Sequence, residues 1–264
     1  MAGLKPKGAI YSGLSGLQLP VPKYKFPPQY RDSSRLTYYS TFFNSIEFNS
    51  TFYKIPLATT IAGWSASVNE NFRFTFKMWK QITHVKNLNF KRSDVELFLK
   101  TADHAGEKKG CLLIQFPPGF DAENSENLNE LLRCVKDYDP QNSWNIAVEF
   151  RNTSWYNKET YRLMDTYNAA IVIHDFRFSA TPLTDSMTDF IYLRFHGPED
   201  RYRGSYPDDF LSEYSDKINE WIMKGKKVFV YFNNTMGDAY NNLTRLNEMV
   251  LFNTGNFKAE KANR

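Results

Sequence analysis

The chain has 264 residues, 42% of them hydrophobic, which allows one or two domains with a full core. Its net charge of +4 comes from 33 basic and 29 acidic residues in short runs, not from the concentrated basic face of a dedicated nucleic-acid binder. The two cysteines, Cys111 and Cys134, exclude a disulfide framework or a zinc ribbon, and no run reaches the ~18 apolar residues a membrane span needs.

Predicted elements alternate between β-rich runs and amphipathic stretches. The first strand is Gly8–Ser12, followed by a Lys- and Pro-rich segment (Pro20–Pro28) in which the helix is reduced. The second strand is Ser45–Asn49, and Ile61, Trp64 and Val68 then recur at helical spacing. After the third strand, Phe72–Lys77, comes a long connection (Met78–Arg92). Ser93 and Glu96 are then spaced as a capping box ahead of Phe98, Leu99 and Ala102.

The fourth strand, Gly110–Gln115, contains the continuous apolar run of a strand covered on both faces. Leu128, Leu131, Leu132 and Val135 line the next helix, Trp144–Phe150 forms the fifth strand, and Tyr161, Met164 and Tyr167 mark another helix. Between the sixth strand (Ala170–His174) and the seventh (Phe190–Phe195), residues 176–189 show no helical pattern. A second long connection, His196–Pro207, precedes a helix carrying Phe210, Leu211, Tyr214, Ile218, Trp221 and Ile222, which Gly225 ends. Lys227–Phe232 is the eighth strand, and Leu243, Leu246 and Val250 mark the last helix.

Eight β units with intervening helices predict an α/β fold, a single (β/α)8 TIM-type barrel of parallel strands with long loops after strands three and seven. No linker divides the chain, so residues 1–264 form one domain, with a core at about 8–252 and flexible termini. Reduced, buried thiols and an N-terminus without an apolar stretch predict a cytoplasmic protein with no membrane partner.

Several strands end in a pattern that core packing does not require. They read Glu47-Phe48-Asn49, Glu149-Phe150-Arg151, Arg194-Phe195-His196 and Tyr231-Phe232-Asn233, followed by Asn234. Side chains alternate across a strand, so each Phe faces the helices while its polar neighbours face the barrel axis. Lys77, Gln115, His174 and Asp175 end other strands, His84, Tyr202 and Tyr206 lie in the two long loops, and Trp155 follows strand five. Barrel active sites are built at these C-terminal strand ends. The bland alternative is a structural ion-pair layer in which Glu47 or Glu149 neutralises Arg151 or Arg194.

The same residues carry a resemblance. The stretches IEFNSTFY (Ile46–Tyr53), FTFK…ITH (Phe74–Lys77, Ile82–His84), LIQFPP (Leu113–Pro118), AVEFRNTSW (Ala147–Trp155), YLRFHG (Tyr192–Gly197) and YFNNT (Tyr231–Thr235) are similar, in order, to the YecE-like family of barrels, domain of unknown function 72. The first strand, YSGLSGL, departs from the Gly-Thr/Cys-Ser-Gly-Trp-like run expected there. The resemblance implies a TIM-type barrel and no particular reaction.

The residues themselves favour an enzyme acting on a phosphate- or carboxylate-bearing small molecule. Arg194, Arg151 and Lys77 would bind the anion. His196 and Glu149 would handle protons, His196 near neutral pH, with Glu47 in reserve. Asn49, Asn233 and Asn234 would orient the substrate, with Gln115, Asp175, Tyr53, His84, Trp155, Tyr202 and Tyr206 lining its pocket. No cofactor is expected. The alternatives are a divalent-metal phosphoester hydrolase using the strand-end acids and histidines, a two-carboxylate glycosidase built on Glu47 and Glu149, a non-catalytic nucleic-acid binder using the two long loops, and a partner scaffold. Oligomeric state is not readable.

Overall fold

Continuous apolar runs form strands here because both of their faces are covered. The computed structural model describes residues 8–183, 187–199 and 202–250. The expected flexible termini, residues 1–7 and 251–264, lie outside them. In chain order come β1 (Ala9–Leu14), α1 (Arg35–Tyr39), β2 (Ser45–Phe48), α2 (Ser50–Tyr53), α3 (Ala58–Ala66), β3 (Arg73–Lys77), α4 (Lys80–Thr83) and α5 (Arg92–Ala102). There follow β4 (Lys109–Gln115), α6 (Ser125–Tyr138), β5 (Asn145–Glu149), α7 (Lys158–Thr166), β6 (Ala169–Ile171), β7 (Ile173–His174), β8 (Phe190–Phe195), α8 (Asp208–Met223), β9 (Lys227–Phe232) and α9 (Ala239–Met249).

The fold is α/β with two parallel sheets, one ordered β2-β3-β4-β5-β6 and the other β1-β9-β8-β7. The expected sixth strand is split at Val172, whose N–H donates to Val148 O at 2.8 Å. At the other junction side chains stand in for a ladder. Asn44 accepts from the Ser12 N–H at 2.8 Å and donates to Ile10 O at 2.9 Å. The Tyr39 hydroxyl accepts from the Leu14 N–H at 2.8 Å and donates to Ser45 O at 3.0 Å. Gly13 permits this approach, because a Cβ there would lie 2.1 Å from Ser45 O.

The core follows the strand alternation. Phe48, Phe150, Phe195 and Phe232 pack among helix residues such as Ile61, Leu128 and Leu243. Cys111, Leu113, Ala147, Tyr192, Phe229 and Tyr231, drawn from both sheets, form a second, separate cluster. Within it the Tyr231 hydroxyl lies 2.6 Å from Ser45 Oγ and 2.7 Å from Thr75 Oγ1.

Helix boundaries differ from expectation at one cap. Ser93 lies inside α5, whose N-cap is Lys91 with no side-chain hydrogen bond, so the Ser93/Glu96 spacing is not a capping box. Gly225 does end its helix, at φ +86°, and Lys226 N–H returns to Trp221 O at 3.0 Å. After β1, only short 3-10 turns at Lys23–Lys25 and Pro28–Tyr30 precede α1, as the proline content requires. The segment between β7 and β8 forms no helix among its described residues. The connection after β3 is partly ordered into α4 and a 3-10 turn at Lys86–Leu88.

Candidate functional site

The strand alternation carries Glu47, Glu149 and Arg194 above the second cluster, all fully or almost fully buried. Arg194 joins the two carboxylates. Its Nη2 donates to Glu47 Oε1 at 2.8 Å, its Nε lies 3.1 Å from both Glu47 oxygens, and its Nη1 donates to Glu149 Oε2 at 3.1 Å. Nη2 also reaches Asn49 Oδ1 at 3.3 Å. Glu47 further accepts from the Tyr192 hydroxyl. This is the ion-pair layer that the sequence left as the bland alternative. A guanidinium with every donor face engaged by carboxylates and an amide is a poor clamp for a ligand, so Arg194 does not serve as the free anion binder expected of it.

Outward from Arg194 the residues are less committed. Arg151 Nε donates to Glu149 Oε1 at 2.5 Å, its guanidinium lies 4.2 Å from the Phe176 ring centre, and its Nη2 approaches His196 Nε2 at 3.1 Å. His196 also lies 3.5 Å from Glu149 Oε1 through Nε2 and 3.0 Å from Asn233 Nδ2 through Nδ1. Its backbone N–H donates to Asp175 Oδ1 at 2.7 Å. Lys77 Nζ donates to Gln115 Oε1 at 2.7 Å and sits 4.3 Å from the Phe52 ring centre. Among the described residues no carboxylate lies within ion-pair distance of Lys77.

Electrostatics reverse two expected roles. Burial holds His196 down to about 3, with Arg194 and Arg151 assisting and Glu149 opposing. It is therefore a neutral imidazole near pH 7, not the acid–base group expected to titrate there. Burial alone would raise Glu149, but Arg151, Arg194 and His196 hold it well below the usual carboxylate range, so it stays an acceptor. Lys77 is lowered to about 8 by burial and then by the charge of Arg194.

Other expected residues scatter. Tyr202 is 38% exposed with its ring centre 5.6 Å from that of His196, at the rim. Exposed His84 stands at the same rim, its ring 4.8 Å from Phe52, with its pKa lowered to about 4 by partial burial and by Lys77. Tyr206 is buried behind the cluster, donating to Asp175 Oδ2 and accepting from the Gly197 N–H. Its hydroxyl braces the loop after β8, and burial raises the pKa of Asp175.

Three expected pocket residues point elsewhere. Trp155 is fully buried in the helix layer, stacked 4.6 Å from Phe150, with its indole N–H satisfied by Phe120 O at 2.7 Å. Asn234 is buried too, but donates to Gly204 O and Asn242 Oδ1, each at 3.0 Å, and so fastens a loop to α9. Tyr53 is 68% exposed at the end of α2. His174 is held by Phe150 O at 2.9 Å and by the Phe176 N–H at 3.2 Å.

The sequence reading missed Tyr192, Phe52 and Phe176. Tyr192 stands two positions before Arg194, so strand period alone places it inward. Phe52 sits in the four-residue helix α2 and Phe176 in the connection after β7, both too short of pattern for periodicity to mark them. Among the described residues no three His, Cys, Asp or Glu side chains come together in an arrangement that could hold a metal ion. Cys111 and Cys134 are free and buried, and no described helix is long and apolar enough to cross a membrane.

The chain is 29% identical to UPF0759 protein YunF of Bacillus subtilis over 257 residues, covering 85% of this chain and 89% of that protein. Among solved structures, a DUF72 family protein from Thermotoga maritima is 26% identical with a TM-score of 0.76, covering 92% of this chain and 99% of that one. A family 2 AP endonuclease from Brucella melitensis, 15% identical with a TM-score of 0.53 over 86% of this chain and 93% of its own, shares the fold alone. The model of the family described as Protein of unknown function DUF72 matches residues 11–263, and the chain belongs to this family, the one its six strand-end motifs resemble.

Proposed function

We propose that the two sheets act as one closed barrel, and that the chain is an enzyme for a phosphate- or carboxylate-bearing small molecule held at its C-terminal mouth. One observation carries this reading. Lys77 presents an ammonium that meets no carboxylate among the described residues, beside Arg151, whose Nη2 contacts only the neutral His196 ring. Surplus cationic hydrogen-bond donors at the edge of a buried polar cluster suit an anion.

Arg151 and Lys77 thus take the anion-binding role, while Arg194 keeps Glu47 and Glu149 charged and fixed beneath them. His196, neutral and held between Arg151 and Asn233, positions the Arg151 guanidinium, and Lys77 handles protons. Asn49, Gln115 and Asn233 orient the substrate, and Tyr202 and His84 close its edge. No cofactor is part of the proposal.

The test is thermal melting against inorganic phosphate and glycolate. A ligand at 100 times its dissociation constant stabilises by about 2.7 kcal/mol, which raises the midpoint by roughly 5–10 °C for a chain of this size. The shift is expected in the parent protein and is lost in Arg151→Gln. If neither anion moves the midpoint at millimolar concentration, the anion reading is wrong.

A further inference from the structure

The Lys77 side chain is built differently from the other cations of the cluster. Arg194 and Arg151 both touch carboxylates, whereas Lys77 is held by a neutral amide oxygen on one side and an aromatic face on the other. Every titratable group facing it is fixed by another partner. From β8 comes Arg194, locked to Glu47 of β2 and Glu149 of β5. From the end of β5 comes Arg151, paired with Glu149. From the turn after α4 comes His84, hydrogen-bonded by its Nδ1 to Thr83 Oγ1 at 2.9 Å. The nearest such charge in effect is the Arg194 guanidinium, a like charge, and Lys77 is more than half buried. Burial and a neighbouring cation are the two conditions that free a lysine amine for covalent chemistry.

We infer that Lys77 is a Schiff-base nucleophile, and that the anionic substrate carries an aldehyde or ketone which it engages. The inference deepens the proposed function and rests on it, because the anion seated by Arg151 presents the carbonyl to the amine. The step balances without a further reagent. The Lys77 ammonium gives up a proton, and its lone pair attacks the carbonyl carbon. A C–N bond forms as the π pair moves to oxygen, which takes up a proton. Loss of that oxygen as water, with a second proton from the same nitrogen, leaves a C=N bond whose nitrogen keeps its third proton and the positive charge, which is the iminium. The sum is ammonium plus carbonyl giving iminium plus water, with no change of oxidation state. Lowered to about 8, Lys77 has at pH 7 a neutral-amine fraction roughly two orders of magnitude above that of an ordinary lysine.

The experiment incubates the folded protein with glyoxylate, a carboxylate-bearing aldehyde, and sodium cyanoborohydride, and locates carboxymethyl-lysine by peptide mass spectrometry. The adduct is expected on Lys77 at least tenfold above any exposed lysine, with a rate that rises through a midpoint near pH 8. Lys77→Arg keeps the charge but not the nucleophile. It is expected to abolish the adduct while the protein still melts in one cooperative transition. Modification spread evenly over the lysines, or a Lys77 midpoint above pH 10, overturns the inference. If glycolate still stabilises in that case, the anion-site reading survives. If glycolate also has no effect, both readings fall.

Discussion

His196 shows how strongly a residue's surroundings can override its ordinary chemistry. An imidazole beside a carboxylate would normally gain a proton more easily, yet here burial and two guanidiniums prevail and hold it at about 3. This has a consequence for folding. Between its free value near 6.5 and the folded value, the unfolded chain binds a proton that the native chain refuses, so stability falls as pH falls. At about 1.4 kcal/mol per pH unit, the loss between pH 6.5 and 5 is about 2 kcal/mol from His196. His174, also lowered by burial, adds to it with the same sign. Glu149 acts in a lower window, since its depressed pKa gives stability that is present above about pH 4.5 and is lost as pH drops toward the folded value. Urea unfolding at pH 7 and pH 5 reads the histidine window apart from the carboxylate one. In His196→Asn the drop between those pH values is expected to shrink by about 2 kcal/mol. An equal drop in wild type and variant would show that His196 is not held neutral.

Among the elements, β1 and β2 meet with the weakest backbone pairing. Asn44 and Tyr39 supply there the hydrogen bonds that a ladder supplies elsewhere. Asn44→Ala would leave the Ser12 N–H and the Ile10 carbonyl without these partners, at an expected cost of about 2–4 kcal/mol by chemical denaturation. Hydrogen exchange should localise the damage, with the Ser12 amide exchanging at least tenfold faster while the β4–β5 amides keep their rates. Uniform acceleration, or none, would mean that the seam is held by something other than Asn44. This seam was not legible in the sequence, because Asn44 and Tyr39 belong to no periodic pattern and their partners are 25–34 residues away or across a turn. The strands themselves were legible. Their apolar runs and the polar-Phe-polar endings state both the element and its inward face, and Phe48, Phe150, Phe195 and Phe232 lie where that alternation puts them. The same rule turns Asn234 away from its neighbour Asn233, so its absence from the cluster was readable too. Trp155 was misjudged because nearness in sequence to a strand end says nothing about which layer a loop residue enters. Nor can alternation reveal that one guanidinium spans two glutamates, because that depends on the relative heights of β2, β5 and β8.

At the scale of the whole molecule, the charge of +4 is spread rather than focused. Many surface cations are tied to acids on the same or a neighbouring helix. Arg92 pairs with Glu130 and Asp137, Arg245 with Asp208 and Glu248, Lys100 with Glu96, and Lys217 with Glu213. Such exposed pairs add little stability, but they break up the continuous positive stripe that a nucleic-acid backbone would follow. The two readings of the molecule therefore separate by salt. A protein making six to ten phosphate contacts loses roughly 10³–10⁵ in affinity between about 50 and 200 mM salt. A small anion held by Arg151 and Lys77 in a partly buried mouth is screened far less. Fluorescence anisotropy with a single-stranded oligonucleotide is expected to give weak binding that vanishes across that range and is unchanged in Lys77→Arg. The phosphate-induced melting shift should fall by less than half over the same range. Submicromolar oligonucleotide affinity at about 150 mM salt, with a steep salt slope and no phosphate shift, would move the function from the mouth to the loops around it, because only contacts spread along a backbone produce that slope.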